Sequence, residues 1–519
     1  MAIRATADII RTWGAERPDV DALRWGDGRS MTYAELHERS SRVAQGLLAE
    51  GVGAEDRVAI LDKNGPEYFE WFFGAAKINA VPTPVNWRLA PREVAYIVND
   101  AQARLLLVGQ EFLPVLQAIA GDLAETTRVL VIGGADGYES WDAWRDRHEA
   151  VDPMVPQADG DVAFQLYSSG TTGLPKGVQL TNSNLFSGLP MYEEIMGMDA
   201  DSVNLVAMPL FHIGGGGWAL AGMVSGIPGV LVRDIDPVKL VELIEREGIT
   251  HAFLVPAVLQ FMLMVPGMKE RDYSQLKCFL YGASPISTQV LAESVRTFGC
   301  TFMQAYGLTE TTGTVVLLPG DDHDPDGPNA HRLRAAGKPL ELIDLRIVDP
   351  ATAQDMAVGE VGEIWVRGPL VMKGYWNLPD ETAKSISADG WFRTGDAGYL
   401  DADGYVYIHD RVKDMIVSGG ENIYPAEVEN VLMGHPAVAD VAVIGVPSER
   451  WGETPKAVVV RKGEVTDEEL IAYCRERLAK YKCPTSVDWV EALPRNPSGK
   501  ILKKDLRAPY WEGRERFVG

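Results

Sequence analysis

A chain of 519 residues is too long for one ordinary domain, so two or three globular units are expected. At 46% hydrophobic and 24% charged residues it has ample apolar material for a large core and the composition of a folded protein. The formal net charge of -24 argues against sequence-independent nucleic-acid binding and against electrostatic docking on anionic lipid, both of which need a basic face. The four cysteines, Cys278, Cys300, Cys474 and Cys483, form no C-x-x-C pair, so reduced thiols in a cytoplasmic protein are expected. The N-terminus lacks the continuous apolar core of a signal peptide. No window approaches the apolar run of about 20 residues that a membrane span needs.

Along the first four-fifths of the chain, short apolar runs end in or near Gly or Pro, at 57–61, 105–109, 129–133, 162–167, 252–256 and 278–282. Such runs suit strands buried on both faces, as in parallel sheets. Helical patterns lie between them. In 237–249, Leu240, Val241, Leu243, Ile244 and Ile249 contrast with Glu242, Glu245, Arg246 and Glu247, and Pro237 fits a helix start. Alternation of the two signals predicts a layered α/β architecture. From 340 to 407 strands broken by Gly and Asp predict a small antiparallel sheet or barrel-like subdomain. After Arg411 the texture changes to a smaller α+β domain, with strands at 441–446 and 457–460 and a helix beginning near Thr466. There Thr466 and Glu469 have capping-box spacing. The expected division is therefore 1–411 and 412–519. The acidic stretch Asp321, Asp322, Asp324 and Asp326 around His323 has no ordered ligand spacing and is read as a solvated loop.

The most informative segment is Tyr167-Ser168-Ser169-Gly170-Thr171-Thr172-Gly173-Leu174-Pro175-Lys176-Gly177. Glycines let a backbone turn tightly and aim N–H groups at an anion. The hydroxyls add donors, and Lys176 adds a compact positive charge. This is a composition for polyphosphate. It is not the P-loop pattern, which requires Gly-Lys-Ser/Thr, whereas Lys176 stands between Pro175 and Gly177. The competing structural reading is an ordinary turn between a strand and a helix. No G-x-G-x-x-G in 129–137 supports a dehydrogenase, and no G-x-S-x-G supports an α/β-hydrolase.

This loop resembles the signature of the adenylate-forming superfamily, which includes acyl-CoA synthetases, peptide-synthetase adenylation domains and firefly-type luciferases. Further motifs of that family follow in order: Met208-Pro209-Leu210-Phe211-His212, Tyr281-Gly282-Ala283-Ser284-Pro285 and Gln304-Ala305-Tyr306-Gly307-Leu308-Thr309-Glu310. They continue with Gly390-Trp391-Phe392-Arg393-Thr394-Gly395-Asp396, Asp410-Arg411-Val412-Lys413-Asp414 and Pro494-Arg495-Asn496-Pro497-Ser498-Gly499-Lys500. The resemblance implies a large N-terminal domain of layered α/β subdomains and a mobile C-terminal domain. It implies that ATP and a carboxylic acid form an acyl-adenylate with release of pyrophosphate, followed by thioester formation with coenzyme A.

It also implies roles. Ser168, Ser169, Gly170, Thr171, Thr172, Gly173 and Lys176 would hold the β- and γ-phosphates. Gly282, Ala283 and Ser284 would lie along the adenine, and Gln304, Ala305, Tyr306 and Gly307, on the segment after it, would also bind the cofactor. Thr309 would contact the α-phosphate, and Glu310 with Thr172 would hold Mg²⁺. Asp396 would bind the ribose hydroxyls, Arg411 would reach the ribose or phosphate, and Lys500 would bridge the substrate carboxylate and the α-phosphate. Lys413 stands at the position of a hinge about which the C-terminal domain rotates, bringing Gly419 and Gly420 to the wall of a pantetheine tunnel. His212 joins Lys500, Thr309 and Glu310 as a candidate catalytic residue.

The acid is less legible. Gly214, Gly215, Gly216 and Gly217 fall on the family's acyl-pocket region, where missing side chains would leave a channel that Trp218 closes or floors. Equally, the glycines are read as close helix packing and His212 as a satisfied core histidine. No acidic residue lies between Phe211 and Met223 to pair with an ammonium, which counts against an amino-acid substrate. A medium- or long-chain fatty acid is the expected substrate, with an aryl or steroid-side-chain acid behind it. The rivals are a ligase that loads a carrier protein, a luciferase-like oxygenase, and a non-catalytic lipid-binding or scaffolding protein. A homodimer is the expectation for oligomeric state, although no residue pattern carries it.

Overall fold

The computed structural model describes residues 3–26, 28–168, 174–350, 352–411, 414–418, 421–448, 450–495 and 501–512; at 409–411 and 421–422 only the backbone is described. The large domain contains two sheets with parallel interiors. In the nine-stranded sheet, Thr301–Leu308, Cys278–Gly282, His251–Leu254, Asn204–Val206, Gly229–Leu231 and Asp21–Trp25 are neighbours and run parallel. Antiparallel strands finish both edges: Gly313–Leu318 and Lys338–Pro339 on one side, Arg29–Thr32 on the other. The second sheet is wholly parallel, in the order Val81–Pro84, Arg57–Leu61, Leu105–Val108, Arg128–Val131, Glu139–Ser140. Every residue of Arg57–Leu61, Leu105–Val108 and Cys278–Gly282 is buried, as expected for strands covered on both faces.

The run at 162–167 differs from its expected setting. Val162–Ser168 pairs antiparallel with Lys176–Thr181, which in turn pairs with Gly374–Tyr375, in a separate three-stranded sheet. Its apolar run reports burial, and burial is common to both sheet types; the partner is set by the short connection, which allows only an antiparallel return. The segment after Ser168 is thus the connection of a hairpin whose last paired residues are Ser168 and Lys176, not a turn from strand to helix.

The 340–407 region holds a four-stranded antiparallel sheet, Asp344–Val348, Gly362–Arg367, Phe392–Leu400 and Val406–Arg411. The helix foreseen from 237 runs Pro237–Arg246, with the Asp236 carboxylate accepting from the Val238 and Lys239 N–H groups. In the smaller C-terminal domain, Val438–Ser448 and Gly452–Arg461 form a long hairpin, with Ser486–Val490 parallel to the latter. Helix Asp467–Arg475 starts at a reciprocal Thr466–Glu469 capping box and buries Leu470 and Cys474. Gln260 Nε2 of the large domain donates to the Ala439 carbonyl of the smaller one at 3.4 Å. No helix among the described residues is long and apolar enough to cross a membrane.

Candidate active site

Strands Cys278–Gly282 and Thr301–Leu308 are parallel neighbours, with Gly282 opposite Ala305. Their carboxyl ends therefore lie side by side, the usual place for a ligand on an open parallel sheet. The backbone at these ends is tightly set. A Cβ on Gly282 would lie 2.2 Å from the Ala305 carbonyl oxygen, and one on Gly307 would lie 1.6 Å from that of Gly313. Ala283, exposed, has a φ of 64°, which turns the chain sharply off the strand end in a conformation that residues with a Cβ rarely adopt. Thr309–Thr311 forms one 3₁₀ turn directly after the strand. The Thr311 hydroxyl closes that turn, accepting from the Leu308 N–H at 2.9 Å.

Glu310 is the meeting point of three distant segments. Its Oε1 accepts from the Ser168 hydroxyl at 2.9 Å and from the Tyr375 hydroxyl at 3.1 Å. Among the described residues both side-chain bonds land on Oε1, so Oε2 keeps its acceptor capacity. The main chain is pinned as well, since the Met372 N–H donates to the Glu310 carbonyl at 2.9 Å. Lys176, buried at the start of its strand, donates to Glu381 Oε2 at 2.6 Å and lies 5.0 Å from the Tyr375 ring centre. The hydrogen bonds from Lys176 and Lys384 hold the Glu381 carboxyl down at about 2, so it is ionised at any working pH.

Asp396 is buried in the strand Phe392–Leu400 and accepts from the Tyr306 hydroxyl at 2.8 Å. The Asp396 N–H donates to Thr394 Oγ1 at 3.0 Å, which fixes the start of this stretch. Arg411 is the backbone register partner of Asp396, so the two motif residues are neighbours across one strand pair. The structure thus brings Ser168, Lys176, Gly282, Ala283, Ser284, Gln304, Ala305, Tyr306, Gly307, Thr309, Glu310, Asp396 and the Arg411 backbone onto adjoining strand ends and turns. Ser169, Gly170, Thr171, Thr172, Gly173, Lys413, Gly419, Gly420 and Lys500 lie outside the described residues.

His212 is the N-cap of the helix Ile213–Val224, and its carbonyl accepts from the Gly215 and Gly216 N–H groups. Its Nε2 is buried with no hydrogen-bond partner among the described residues. Burial, followed by the nearby Arg88 charge, pushes the imidazole down to about 4, so it is neutral at pH 7. A buried ring nitrogen without a partner is costly, so among the described residues His212 is not a satisfied core histidine. The four glycines divide. A Cβ on Gly215 would lie 2.1 Å from the Pro209 carbonyl oxygen, and one on Gly216 2.9 Å from that of Leu210, so these two permit close helix packing. A Cβ on Gly217 would meet only the end of Ile213, at 3.3 Å. Trp218 is a core residue, donating to the Leu205 carbonyl at 2.9 Å.

Sequence reasoning missed Tyr375 and Glu381, which orient Glu310 and Lys176 from 65 and 205 residues away. No local spacing announces them. It also read the whole 321–326 stretch as solvated, whereas Asp322 and His323 are buried and only Asp321, Asp324 and Asp326 are exposed. Asp322 turns inward to accept from Arg332 at 2.9 Å and from the Tyr405 hydroxyl at 2.7 Å.

The chemical groups these strand ends and turns present are thus a buried carboxylate on a strand pair, a paired lysine at a hairpin end and an acidic 3₁₀ turn. The family model described as AMP-binding enzyme matches residues 10–376, and the AMP-binding enzyme C-terminal domain matches residues 427–500. The chain belongs to the AMP-binding enzyme family, as an AMP-forming acid–CoA ligase of the adenylate-forming superfamily. It is 42% identical over 503 residues to the fatty acid–[acyl-carrier-protein] ligase ScoC of Streptomyces coeruleorubidus, covering 95% of this chain and 94% of that one. It is 39% identical over 508 residues to a feruloyl-CoA synthase of Amycolatopsis sp, covering 96% and 99%. Among solved structures, ATP-bound MatB from Rhodopseudomonas palustris superposes with a TM-score of 0.88 at 30% identity, covering 97% of this chain and 99% of that one.

Proposed function

We propose that this enzyme activates a medium- or long-chain fatty acid with ATP and Mg²⁺ and transfers the acyl group to coenzyme A. The observation that carries the reading is the Ser168–Glu310–Tyr375 cluster beside Lys176, with Asp396 held by Tyr306 of the strand that leads to Glu310. In the first step an oxygen of the acid's carboxylate attacks the α-phosphorus, and the bond to pyrophosphate breaks. Negative charge crowds there, so the reaction needs preorganised cations and donors. Lys176 and the hydroxyl- and glycine-rich loop 168–173 receive the β- and γ-phosphates, Thr309 the α-phosphate, and Asp396 with Arg411 the ribose hydroxyls. Lys500 balances the charge shared by the attacking carboxylate and the α-phosphate.

One carboxylate suits Mg²⁺, which keeps several waters and takes its other oxygens from substrate phosphates. Glu310, whose Oε2 accepts no hydrogen bond among the described residues, and the Thr172 hydroxyl near in sequence to Ser168 would hold it, and the ion would neutralise phosphate charge there. In the second step the CoA sulfur attacks the acyl carbonyl and AMP leaves. Rotation of residues 412–519 about Lys413 would bring Gly419 and Gly420 to the thiol's approach, with residues 1–411 as the stationary part.

The fatty acid–[acyl-carrier-protein] ligase relative supports an aliphatic acid, and a Cβ on Gly217 would meet the Ile213 side chain rather than backbone, so that position is where a larger residue can intrude on an acyl channel. A carrier protein as acceptor is the second reading, favoured by that same relative; the feruloyl-CoA synthase favours an aryl acid. Incubation with ATP, Mg²⁺ and a panel of fatty and cinnamic acids, offering CoA or a phosphopantetheinylated carrier protein, separates these by product mass. Fatty acyl-CoA is the expected product. Acyl-carrier protein without acyl-CoA would replace the acceptor, and cinnamoyl-type thioesters alone would replace the acid.

A further inference from the structure

We infer that His323 is a positioning residue for base selection, acting through the Tyr281 hydroxyl to fix which way the Gln304 carboxamide faces. The inference rests on the nucleotide-site reading above and adds to it that the half-buried Gln304 side chain reaches the base of ATP. Tyr281 and Gln304 are register partners on parallel strands, so their side chains share one face of the sheet. Tyr306, two residues on, occupies the same face and reaches Asp396. The row therefore leads from His323 through Tyr281 and Gln304 toward the proposed ribose site.

Proton counting sets the orientation. Tyr281 Oη lies 3.1 Å from His323 Nε2 and 3.1 Å from Gln304 Oε1, the amide oxygen in the orientation the structure shows, and its single proton cannot serve both. His323 Nδ1 lies 2.9 Å from the Pro319 carbonyl oxygen, which can only accept, so Nδ1 carries a hydrogen. Tyr281 and His323 are both buried, and desolvation holds the imidazole neutral, pushed down to about 4. Nε2 is then a bare acceptor, and the tyrosine donates to it. An amide oxygen facing Tyr281 would oppose two lone-pair-bearing oxygens with no proton between them. A half-turn of the carboxamide exchanges its oxygen and nitrogen in nearly the same space, and puts the NH₂ toward Tyr281 as donor. The carbonyl of half-buried Gln304 is thereby turned away from Tyr281 as an acceptor. Adenine offers a donor at its 6-amino group; a 6-oxo purine offers an acceptor there. The relay favours the first and rejects the second.

The test is direct binding of ATP and of inosine triphosphate to the full-length enzyme by titration calorimetry, beside Tyr281→Phe, His323→Phe and Gln304→Ala. The wild type is expected to prefer ATP by about tenfold or more, roughly the worth of one hydrogen bond. Tyr281→Phe, which lacks one oxygen and frees the amide to turn, should shrink that ratio about five- to tenfold, largely by gaining affinity for inosine triphosphate. His323→Phe should do the same. An unchanged ratio in Tyr281→Phe with normal melting overturns the relay, and so does a wild-type ratio near one. An unchanged ratio in Gln304→Ala removes Gln304 from the base and overturns the inference while ATP binding stands. Failure of the wild type to bind ATP overturns the nucleotide-site reading itself. If His323→Phe fails to fold, Tyr281→Phe carries the test alone.

Discussion

Glu310 takes one hydroxyl from the strand that precedes the phosphate loop and one from Tyr375, and both bonds fall on the same oxygen. A carboxylate so held is aimed before any cation arrives, which is how preorganisation lowers the cost of stabilising phosphate charge. Glu310→Gln should raise the Mg²⁺ concentration for half-maximal pyrophosphate release about tenfold or more. Tyr375→Phe, which keeps the ring near Lys176 but loses one bond to a charged group, should raise it several-fold. A magnesium titration unchanged in both variants would remove Glu310 from the metal site. Lys176, Glu310, Tyr306 and Asp396 were legible because each sits in a dense motif whose residue types make chemical sense together. Tyr375 and Glu381 were not, because their relation to Glu310 and Lys176 exists only once the chain is folded. His323 was hidden by its acidic neighbours, whose solvated character masked the one imidazole that turns inward.

The helix Ile213–Val224 shows what an element adds to its residues. Four consecutive glycines at its start would ordinarily weaken a helix, each by about 1 kcal/mol relative to alanine. Here Gly215 and Gly216 face the carbonyls of Pro209 and Leu210, and the approach leaves no space for a Cβ. Gly215→Ala should destabilise the enzyme by about 1–3 kcal/mol and lower the melting temperature by a few degrees. Gly217→Leu should melt near the wild type yet shift acid preference toward shorter acids, read as kcat/KM across a chain-length series. Equal melting losses in the two variants would make the glycine run a packing device throughout. Sequence alone left these roles undivided, because which glycine meets a backbone depends on how the helix is rotated against residues 208–210. The same limit applied to 162–168: hydrophobicity located a buried strand, and the hairpin return decided its partner. Elements with their own start signals were read correctly, as with the Thr466 capping box and the Pro237 helix start.

At the scale of the molecule, burial acts on the histidines in one direction. Five of the eight, His37, His148, His212, His251 and His323, are pushed below their ordinary value, chiefly by desolvation, and His37, His212 and His323 to about 4. Each has a folded value below its unfolded one, so the unfolded chain binds more protons as the pH falls through about 6.5. Stability is therefore full above that pH and is lost progressively toward 4. Buried Lys77, lowered to about 7 mainly by desolvation, acts between 7 and its ordinary value and adds no slope below 7. The melting temperature should decline between pH 6.5 and 5, before most carboxylates titrate. A flat profile there would mean that these rings are solvated in the folded enzyme.

The plan of a large N-terminal and a smaller C-terminal domain was legible as a change of texture toward the end of the chain, and the ordered motifs identified the class, because each is short and chemically specific. The identity of the acid was not, since an apolar pocket is shaped by many weak contacts spread over distant segments. The most direct test of the central claim is acid-dependent release of pyrophosphate from ATP with Mg²⁺, measured for the wild type beside Lys500→Ala. The account predicts release that requires a fatty acid and falls by about 10²–10³ in Lys500→Ala, the usual loss when one preorganised stabiliser is removed. Release that no acid stimulates, or that Lys500→Ala leaves untouched, would contradict it.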